Sequence, residues 1–210
     1  MRVRRRESAK QQLQFLCTLI LPTPKGRGLR RIVCLLVFLL LMVSQVEGPA
    51  QSAVSREYQI KAVFLFNFTQ FVEWPSAAFE RTSSPLILGI LGEDPFGDFI
   101  DRTVRGEVAQ NRPLVVKRFA GVDELEDCHI LFIGLHAKQE VRDALRKTKS
   151  KPVLTVSDMD GFARMGGTVR FYSEDGKVRI RINTKSVEEA NLVVSSKLLR
   201  LADVIRANDN

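Results

Sequence analysis

Apolar side chains recur at two different spacings along the chain, and the two spacings predict different elements. Between residues 56 and 74 they recur every three or four positions, which predicts one long helix with a strongly apolar face. That face contains Ile60, Val63, Phe64, Phe68 and Phe71. The charges beside it are of both signs, so the pattern favours packing against a sheet, or against a second copy of the chain, over binding to a membrane surface.

Short runs rich in Val, Ile and Leu predict strands at residues 85–91, 114–118, 128–134, 153–156, 168–172 and 177–183. Helices are predicted between and after them, at residues 96–104, 139–147, 186–191 and 195–205. Strands that alternate with helices at this spacing predict an α/β fold. We expect a single-domain layered sandwich, with a largely parallel sheet, a C-terminal antiparallel hairpin and helices on both faces.

The last predicted strand, KVRIRIN at residues 177–183, alternates apolar and basic residues. Val178, Ile180 and Ile182 share one face, and Arg179 and Arg181 share the other. A Glu-Asp-Gly turn before it predicts a hairpin. If this is the outer strand of the sheet, its arginine side meets solvent or a partner.

A glycine-rich loop follows the buried strand at residues 153–156. It begins at Ser157-Asp158 and contains Gly161 and the pair Gly166-Gly167. In open α/β sheets, ligands and partners bind at the carboxyl ends of the strands. The loop is therefore either a binding loop or a tight structural connection.

Few residues suggest catalysis or metal binding. Asp158 and Asp160 could serve in acid–base chemistry or bind a cation, but they also fit turn and helix-cap roles. Cys128 and His129 are neighbours on a strand and point to opposite faces, so they cannot form a nucleophile–base dyad. With His136, they lack the spacing of a zinc site. We expect no enzymatic activity, no metal and no cofactor.

The first fifty residues have the pattern of an export signal. Arg30-Arg31 precedes an uncharged apolar run at residues 32–43, and small residues follow at Gly48 and Ala50. A membrane-spanning helix needs about 20 apolar residues, which this run does not reach. We expect cleavage after Ala50, with an uncleaved membrane anchor as the alternative, and a domain spanning residues 51–210 in the periplasm.

Removing this leader changes the charge and the cysteine count. Of the 32 Lys and Arg and the 24 Asp and Glu, residues 1–50 hold nine and two, so the remainder carries 23 and 22, a net charge of +1. A domain without a basic excess is not expected to bind nucleic acid. Cys128 is the one cysteine beyond residue 50, so the exported domain cannot form an internal disulfide.

Five segments resemble the YfiR-like family in order and spacing. They are YQIKAVFLFNFTQFVEWP, PLILGILGEDPFG, CHILFIG, PVLTVSD with the following GFA, GG and F, and RIN with ANLVVSSKLLRLA. The resemblance covers Tyr58 to about Ala202. It implies an exported, non-catalytic, homodimeric periplasmic protein that binds and inhibits the sensing domain of a membrane diguanylate cyclase, YfiN, and so lowers cyclic di-GMP and biofilm formation. An OmpA-like lipoprotein, YfiB, would sequester it.

The resemblance also suggests which residues contact partners. On the outer hairpin and beside it we expect a partner surface of Val169, Arg179, Arg181 and Val187, with a solvated edge or core packing as the alternative for each. A small-ligand pocket is expected near Asn183, Val193 and Ser195. The family commonly has an acid where this chain has Arg181, and its characterised regulators carry disulfides, which Cys128 alone cannot form.

The sequence is also compatible with two other functions. One is a periplasmic small-ligand-binding sensor module that feeds a kinase or a transporter. The other is a hydrolase with an unrecognised site that would use Asp158 or His129.

Overall fold

The computed structural model describes residues 49–205. The expected export signal at residues 1–50 therefore lies outside the described residues, except for its last two. Within the described range, no helix combines the length and the apolar character that crossing a membrane requires.

The described chain is a mixed α/β fold. In chain order the helices are α1 (Pro49–Phe71), α2 (Asp98–Val104), α3 (Lys138–Thr148), α4 (Thr184–Glu189) and α5 (Ser196–Leu199). The strands are β1 (Val72–Glu73), β2 (Leu86–Gly92), β3 (Val108–Ala109), β4 (Arg112–Phe119), β5 (Ile130–Gly134), β6 (Leu154–Ser157), β7 (Val169–Glu174), β8 (Lys177–Asn183), β9 (Val193–Val194) and β10 (Asp203–Ile205). Single 3-10 turns occur at Ser76–Ala78, Val122–Glu124 and Phe162–Met165.

Eight of these strands form one sheet in the order β10-β8-β7-β6-β5-β2-β4-β3. The five central strands, from β7 to β4, are parallel to one another. The hairpin of β7 and β8 is antiparallel and closes on the two residues Asp175 and Gly176, as the sequence predicted. The remaining strands, β1 and β9, pair separately as a two-stranded antiparallel sheet. The α/β prediction, with a largely parallel sheet and a C-terminal hairpin, is confirmed.

Apolar side chains form a core on each face of the sheet. The larger core lies under α1 and α2 and includes Leu65, Phe68 and Ile100. The smaller core lies under α3 and the 3-10 turn at Phe162–Met165, and includes Val141 and Ala144. Helices therefore cover both faces, as predicted.

Helix α1 packs across the larger core with a face that is rotated from the predicted one. Phe68 is fully buried and stacks on Phe171 of β7, with ring centroids 6.0 Å apart. Ile60 and Val63, which the periodicity assigned to the apolar face, are 43% and 42% exposed. The helix ends at Phe71 rather than at residue 74, because Val72 and Glu73 pair with β9.

The predicted helix at residues 195–205 is wrong beyond its first turn. Helix α5 ends at Leu199, and residues 203–205 form β10, which pairs with β8 in parallel. The apolar spacing of this segment is compatible with a helix, but the open edge of β8 offers unpaired backbone N–H and C=O groups. The prediction that β8 is the outer strand of the sheet is therefore also wrong, because β10 lies outside it.

The carboxyl ends of β2 and β5 approach each other closely at Gly134. A Cβ atom at this position would lie 2.2 Å from the carbonyl oxygen of Glu93. The amide of Glu93 in turn donates to the carbonyl oxygen of Gly134 over 3.2 Å. Only a residue without a side chain allows this contact, because both partners are backbone atoms.

We predict that Gly134→Ala destabilises the fold by about 1–3 kcal/mol, the usual cost of forcing extra volume into a packed site. Gly121→Ala is the matched control, since an added Cβ there meets no atom within 4 Å. Denaturant unfolding of both variants measures the difference. Equal midpoints for Gly134→Ala and the native protein would show that the strand ends are not constrained in this way.

Candidate functional site

The outward side of β7, β8 and β10 is polar and accessible. It consists of Arg170 and Tyr172 on β7, Arg179 and Arg181 on β8, and Asp203 on β10, and we call it the outer hairpin face. Each of these side chains is exposed or half-buried. The opposite side of the same strands carries Val169, Phe171, Ile180 and Ile182, all at most 1% exposed. The period-2 alternation of the strands produces this division.

A compact network organises the centre of this face. The hydroxyl of Tyr172 donates to Asp203 Oδ2 over 2.5 Å, and Arg181 Nη2 donates to the same oxygen over 3.1 Å. These two hydrogen bonds hold the pKa of Asp203 below its usual range. Burial and the bond to Asp203 raise the pKa of Tyr172. The guanidinium of Arg181 also lies 5.0 Å from the centre of the Tyr172 ring.

The remaining two arginines differ in how firmly they are held. Arg170 pairs with Asp160 over 2.8 Å, and its side chain is only 18% exposed. Arg179 contacts Glu174 at a longer 3.6 Å, and its side chain is 48% exposed. Arg179 is therefore the cation of this face that a partner can reach with the least rearrangement.

Two of the four predicted partner residues do not reach the surface. Val169 faces the larger core and is 1% exposed. Val187 lies on α4 and is also buried. Neither valine is accessible to a partner in this structure, because the apolar side of β7 and the inner side of α4 pack against the larger core. Arg179 and Arg181 do lie together on the outer hairpin face.

The two polar residues of the predicted ligand pocket, Asn183 and Ser195, both cap helices. Asn183 caps α4 by accepting from the amide of Ser186 at 3.2 Å, and its amide group donates to the carbonyl oxygen of Ala163 at 2.8 Å. Ser195 caps α5 by accepting from the amide of Leu198. Val193 lies on β9 and is 61% exposed. Both polar side chains therefore serve local structure in the described chain.

The glycine-rich loop separates the two carboxylates that the sequence placed side by side. Asp158 points toward α1, where it accepts from Lys61 Nζ over 2.7 Å and from the Tyr58 hydroxyl over 3.0 Å. Asp160 points instead to Arg170. The loop thus links α1 to the outer hairpin face, and its carboxylates do not form an acid–base pair.

Lys61 is the most deeply buried charge of this cluster, with 4% of its side chain exposed. It is also paired with Glu57 over 2.8 Å and lies 4.2 Å from the centre of the Tyr58 ring. Sequence reasoning missed this residue, because one lysine within an apolar helix gives no sign of which distant carboxylate it meets.

His129 and Cys128 have structural surroundings. Nδ1 of His129 accepts from the amide of Ile87 over 3.0 Å, and Nε2 lies 3.1 Å from the carbonyl oxygen of Ala78. Burial raises the pKa of the Cys128 thiol to about 12, which keeps it protonated and unreactive. Within residues 49–205, no group of three or more His, Cys, Asp or Glu side chains could hold a metal ion.

Two cavities accompany these features. One of about 700 Å³ lies at the amino ends of β2, β5 and β6, and it is bordered by Phe79, Lys117, His129 and Lys151. The other, of about 340 Å³, lies between α3 and α4. Asn183, Val193 and Ser195 line neither cavity.

Comparison with known proteins identifies a family. A family model described as YfiR/HmsC-like matches residues 58–203, from Tyr58 on α1 to Asp203 on β10. No curated protein matches the chain. Among solved structures, the chain is similar to a conserved domain protein from Vibrio cholerae, with 9% identity and a TM-score of 0.39. That alignment covers 57% of this chain and only about half, 54%, of the other.

We predict that Asp158→Asn lowers the free energy of unfolding by about 1–3 kcal/mol, because it leaves the buried ammonium group of Lys61 without its closest carboxylate. Asp127→Asn is the control, since it removes a carboxylate from an ion pair that is exposed on both sides. Asp127 is 92% exposed and its partner Lys151 is 50% exposed, so its loss should cost about 0–1 kcal/mol. Urea unfolding of both variants provides the comparison. Equal losses would mean that the Lys61 pair does not anchor the helix.

Proposed function

Because the chain belongs to the YfiR/HmsC-like family, we propose that it is an exported, non-catalytic regulator that binds the periplasmic sensing domain of a membrane diguanylate cyclase and inhibits it. Inhibition would lower cyclic di-GMP and, with it, biofilm formation. The family is one of periplasmic regulators of diguanylate cyclases that are generally non-catalytic. Beyond this family description, we propose for this chain that it inhibits the cyclase, and we propose which cyclase it binds.

The observation that carries the proposal is the extent of the family match. It spans residues 58–203 and therefore includes α1 from Tyr58 onward, the eight-stranded sheet up to Asp203, and the outer hairpin face. Residues 1–50 precede the match, in agreement with a leader that is removed on export. We propose that the exported form is a single domain of residues 51–210.

The outer hairpin face is the surface that we propose for the cyclase. It offers Arg179 and Arg181 on one strand, with an accessible guanidinium at Arg179. A partner surface that carries carboxylates opposite these arginines would complement it, and charge complementarity sets partner choice and association rate. Since Arg181 stands where the family commonly has an acid, we expect the cyclase of this protein to carry a correspondingly reversed charge.

Three partners follow from this proposal. The first is a membrane diguanylate cyclase similar to YfiN. The second is an OmpA-like lipoprotein similar to YfiB, which would sequester the regulator and release the cyclase. The third is a second copy of the chain, since we propose that the protein is a homodimer.

We predict that deleting the gene raises cyclic di-GMP in a strain that expresses the cyclase, and that the native gene restores the low level. Arg179→Glu should fail to restore it, because charge reversal at the accessible arginine weakens binding by about tenfold or more, equivalent to about 1.4 kcal/mol. Purified protein and the isolated periplasmic domain of the cyclase give the affinity directly.

Lys138→Glu is the matched control, since Lys138 is equally exposed but lies at the start of α3, away from the outer hairpin face. It should restore the low level in full. Arg179→Glu is preferred to Arg181→Glu, because a glutamate at position 181 would face Asp203 and disturb the strand pairing. An unchanged cyclic di-GMP level on deletion, with the cyclase expressed, would remove the proposed function.

A further inference from the structure

The segment that connects β1 to β2 contacts the imidazole of His129 at the amino edge of the sheet. The carbonyl oxygen of Ala78, in the 3-10 turn of this segment, lies 3.1 Å from Nε2 of His129. The imidazole also stacks on Phe79, with ring centroids 4.4 Å apart. We call residues 76–84 the connecting segment. It borders the cavity of about 700 Å³ described above.

The hydrogen bonds of His129 determine its protonation state. Nδ1 is 3.0 Å from the amide nitrogen of Ile87, which can only donate, so Nδ1 must be an unprotonated acceptor. Nε2 then carries the single proton and donates it to Ala78, because a carbonyl oxygen can only accept. Both ring nitrogens are used, and the arrangement requires the neutral imidazole.

Protonation removes this arrangement for a geometric reason. A proton on Nδ1 would point at the N–H of Ile87, and two donors would face each other at hydrogen-bond distance. The amide of Ile87 is the start of the central strand β2 and cannot move without disturbing the sheet. The imidazole can move, and its movement breaks the bond to Ala78.

We infer that protonation of His129 breaks its hydrogen bond to Ala78, releases the first half of the connecting segment, residues 76–80, from the sheet edge and opens the cavity of about 700 Å³ beside it. A second set of contacts, made by Arg112, does not depend on His129. Arg112 lies 3.6 Å from the centre of the Phe79 ring and donates to the carbonyl oxygens of Arg81 and Ser84. These bonds hold the far half of the segment only.

The charges around His129 do not compensate its protonation. Arg112 also lies against the Phe79 ring, and its positive charge disfavours a second cation at His129. The acids Glu126 and Asp127 on the cavity wall are paired with Lys117 and Lys151 respectively, and Glu80 lies on the exposed rim. Burial, with a smaller contribution from Arg112, lowers the pKa of His129 below its ordinary value, against the opposing effects of Ala78 and Asp127.

The sign of the pH dependence follows from that direction. The unfolded chain, with an ordinary histidine pKa of about 6.5, takes up a proton before the folded chain does. The contribution of neutral His129 to stability is therefore complete above about pH 6.5 and is lost as the pH falls below that value. A periplasmic protein meets the acidity of the surrounding medium, so this range is accessible to it. The release requires only residues of this chain, whether or not the proposed cyclase partner is correct.

Hydrogen–deuterium exchange tests the inference on the full exported domain. Protection of the backbone amides in residues 76–80, corrected for intrinsic exchange, should fall by about tenfold or more between about pH 7.5 and about pH 5. Amides of α3 should keep their protection over the same range, because the release is local. A uniform loss across the domain would mean global unfolding and would overturn the inference.

Two variants separate His129 from the other histidine. His129→Asn places an amide oxygen near the position of Nδ1, retains the acceptor for Ile87 and does not titrate, so protection of residues 76–80 should become independent of pH. His136→Gln should keep the native response, since His136 is exposed and contacts Glu93. A pH response that persists in His129→Asn would overturn the assignment.

A titration of the native protein tests the same claim without a substitution. NMR chemical shifts of the two imidazole rings give the protonation midpoint of each histidine. The midpoint of His129 should coincide with the pH at which residues 76–80 lose protection. Protonation of His129 while that protection stays intact would also overturn the inference.

Discussion

The packing of α1 across the sheet is the constraint on which the rest of this structure depends. Phe68 stacks on Phe171 in the core, and Lys61 is held by Asp158 at the carboxyl end of β6. The Phe68–Phe171 contact buries apolar surface but does not determine the position of the helix along the sheet. The Lys61–Asp158 ion pair does determine it, because it requires a specific geometry. Burying a lysine costs free energy that its partners must offset, so the ion pair gives a specific alignment more than net stability.

This alignment leaves one side of the sheet free at its hairpin end. Since α1 occupies the side that carries Phe171 and Ile180, the arginines of β8 are left on the other side. Strand β10 then adds Asp203 beside Arg181, so that an otherwise repulsive row of arginines acquires a carboxylate and a tyrosine hydroxyl. The result is a rigid, charged surface on strands, which suits recognition of another protein better than a mobile loop would.

The two ends of the central strands serve different purposes. At the carboxyl ends, Asp158 and Asp160 direct their charges to α1 and to the hairpin, and the glycine-rich loop is a structural connection. At the amino ends, a neutral histidine holds the connecting segment over a cavity.

The sequence alone determined the fold class, most strand positions, the two faces of β8 and the family, because each depends on local periodicity or on segments in a set order. The tertiary structure decided which helix faces are buried, that residues 203–205 form a strand, and that Val169 and Val187 face inward. It also decided the partners of Lys61 and His129, which lie 97 and up to 51 residues away along the chain. The local sequence around a lysine or a histidine does not identify a partner that is distant along the chain. The same residue could be exposed, paired or buried, and only the folded chain determines which.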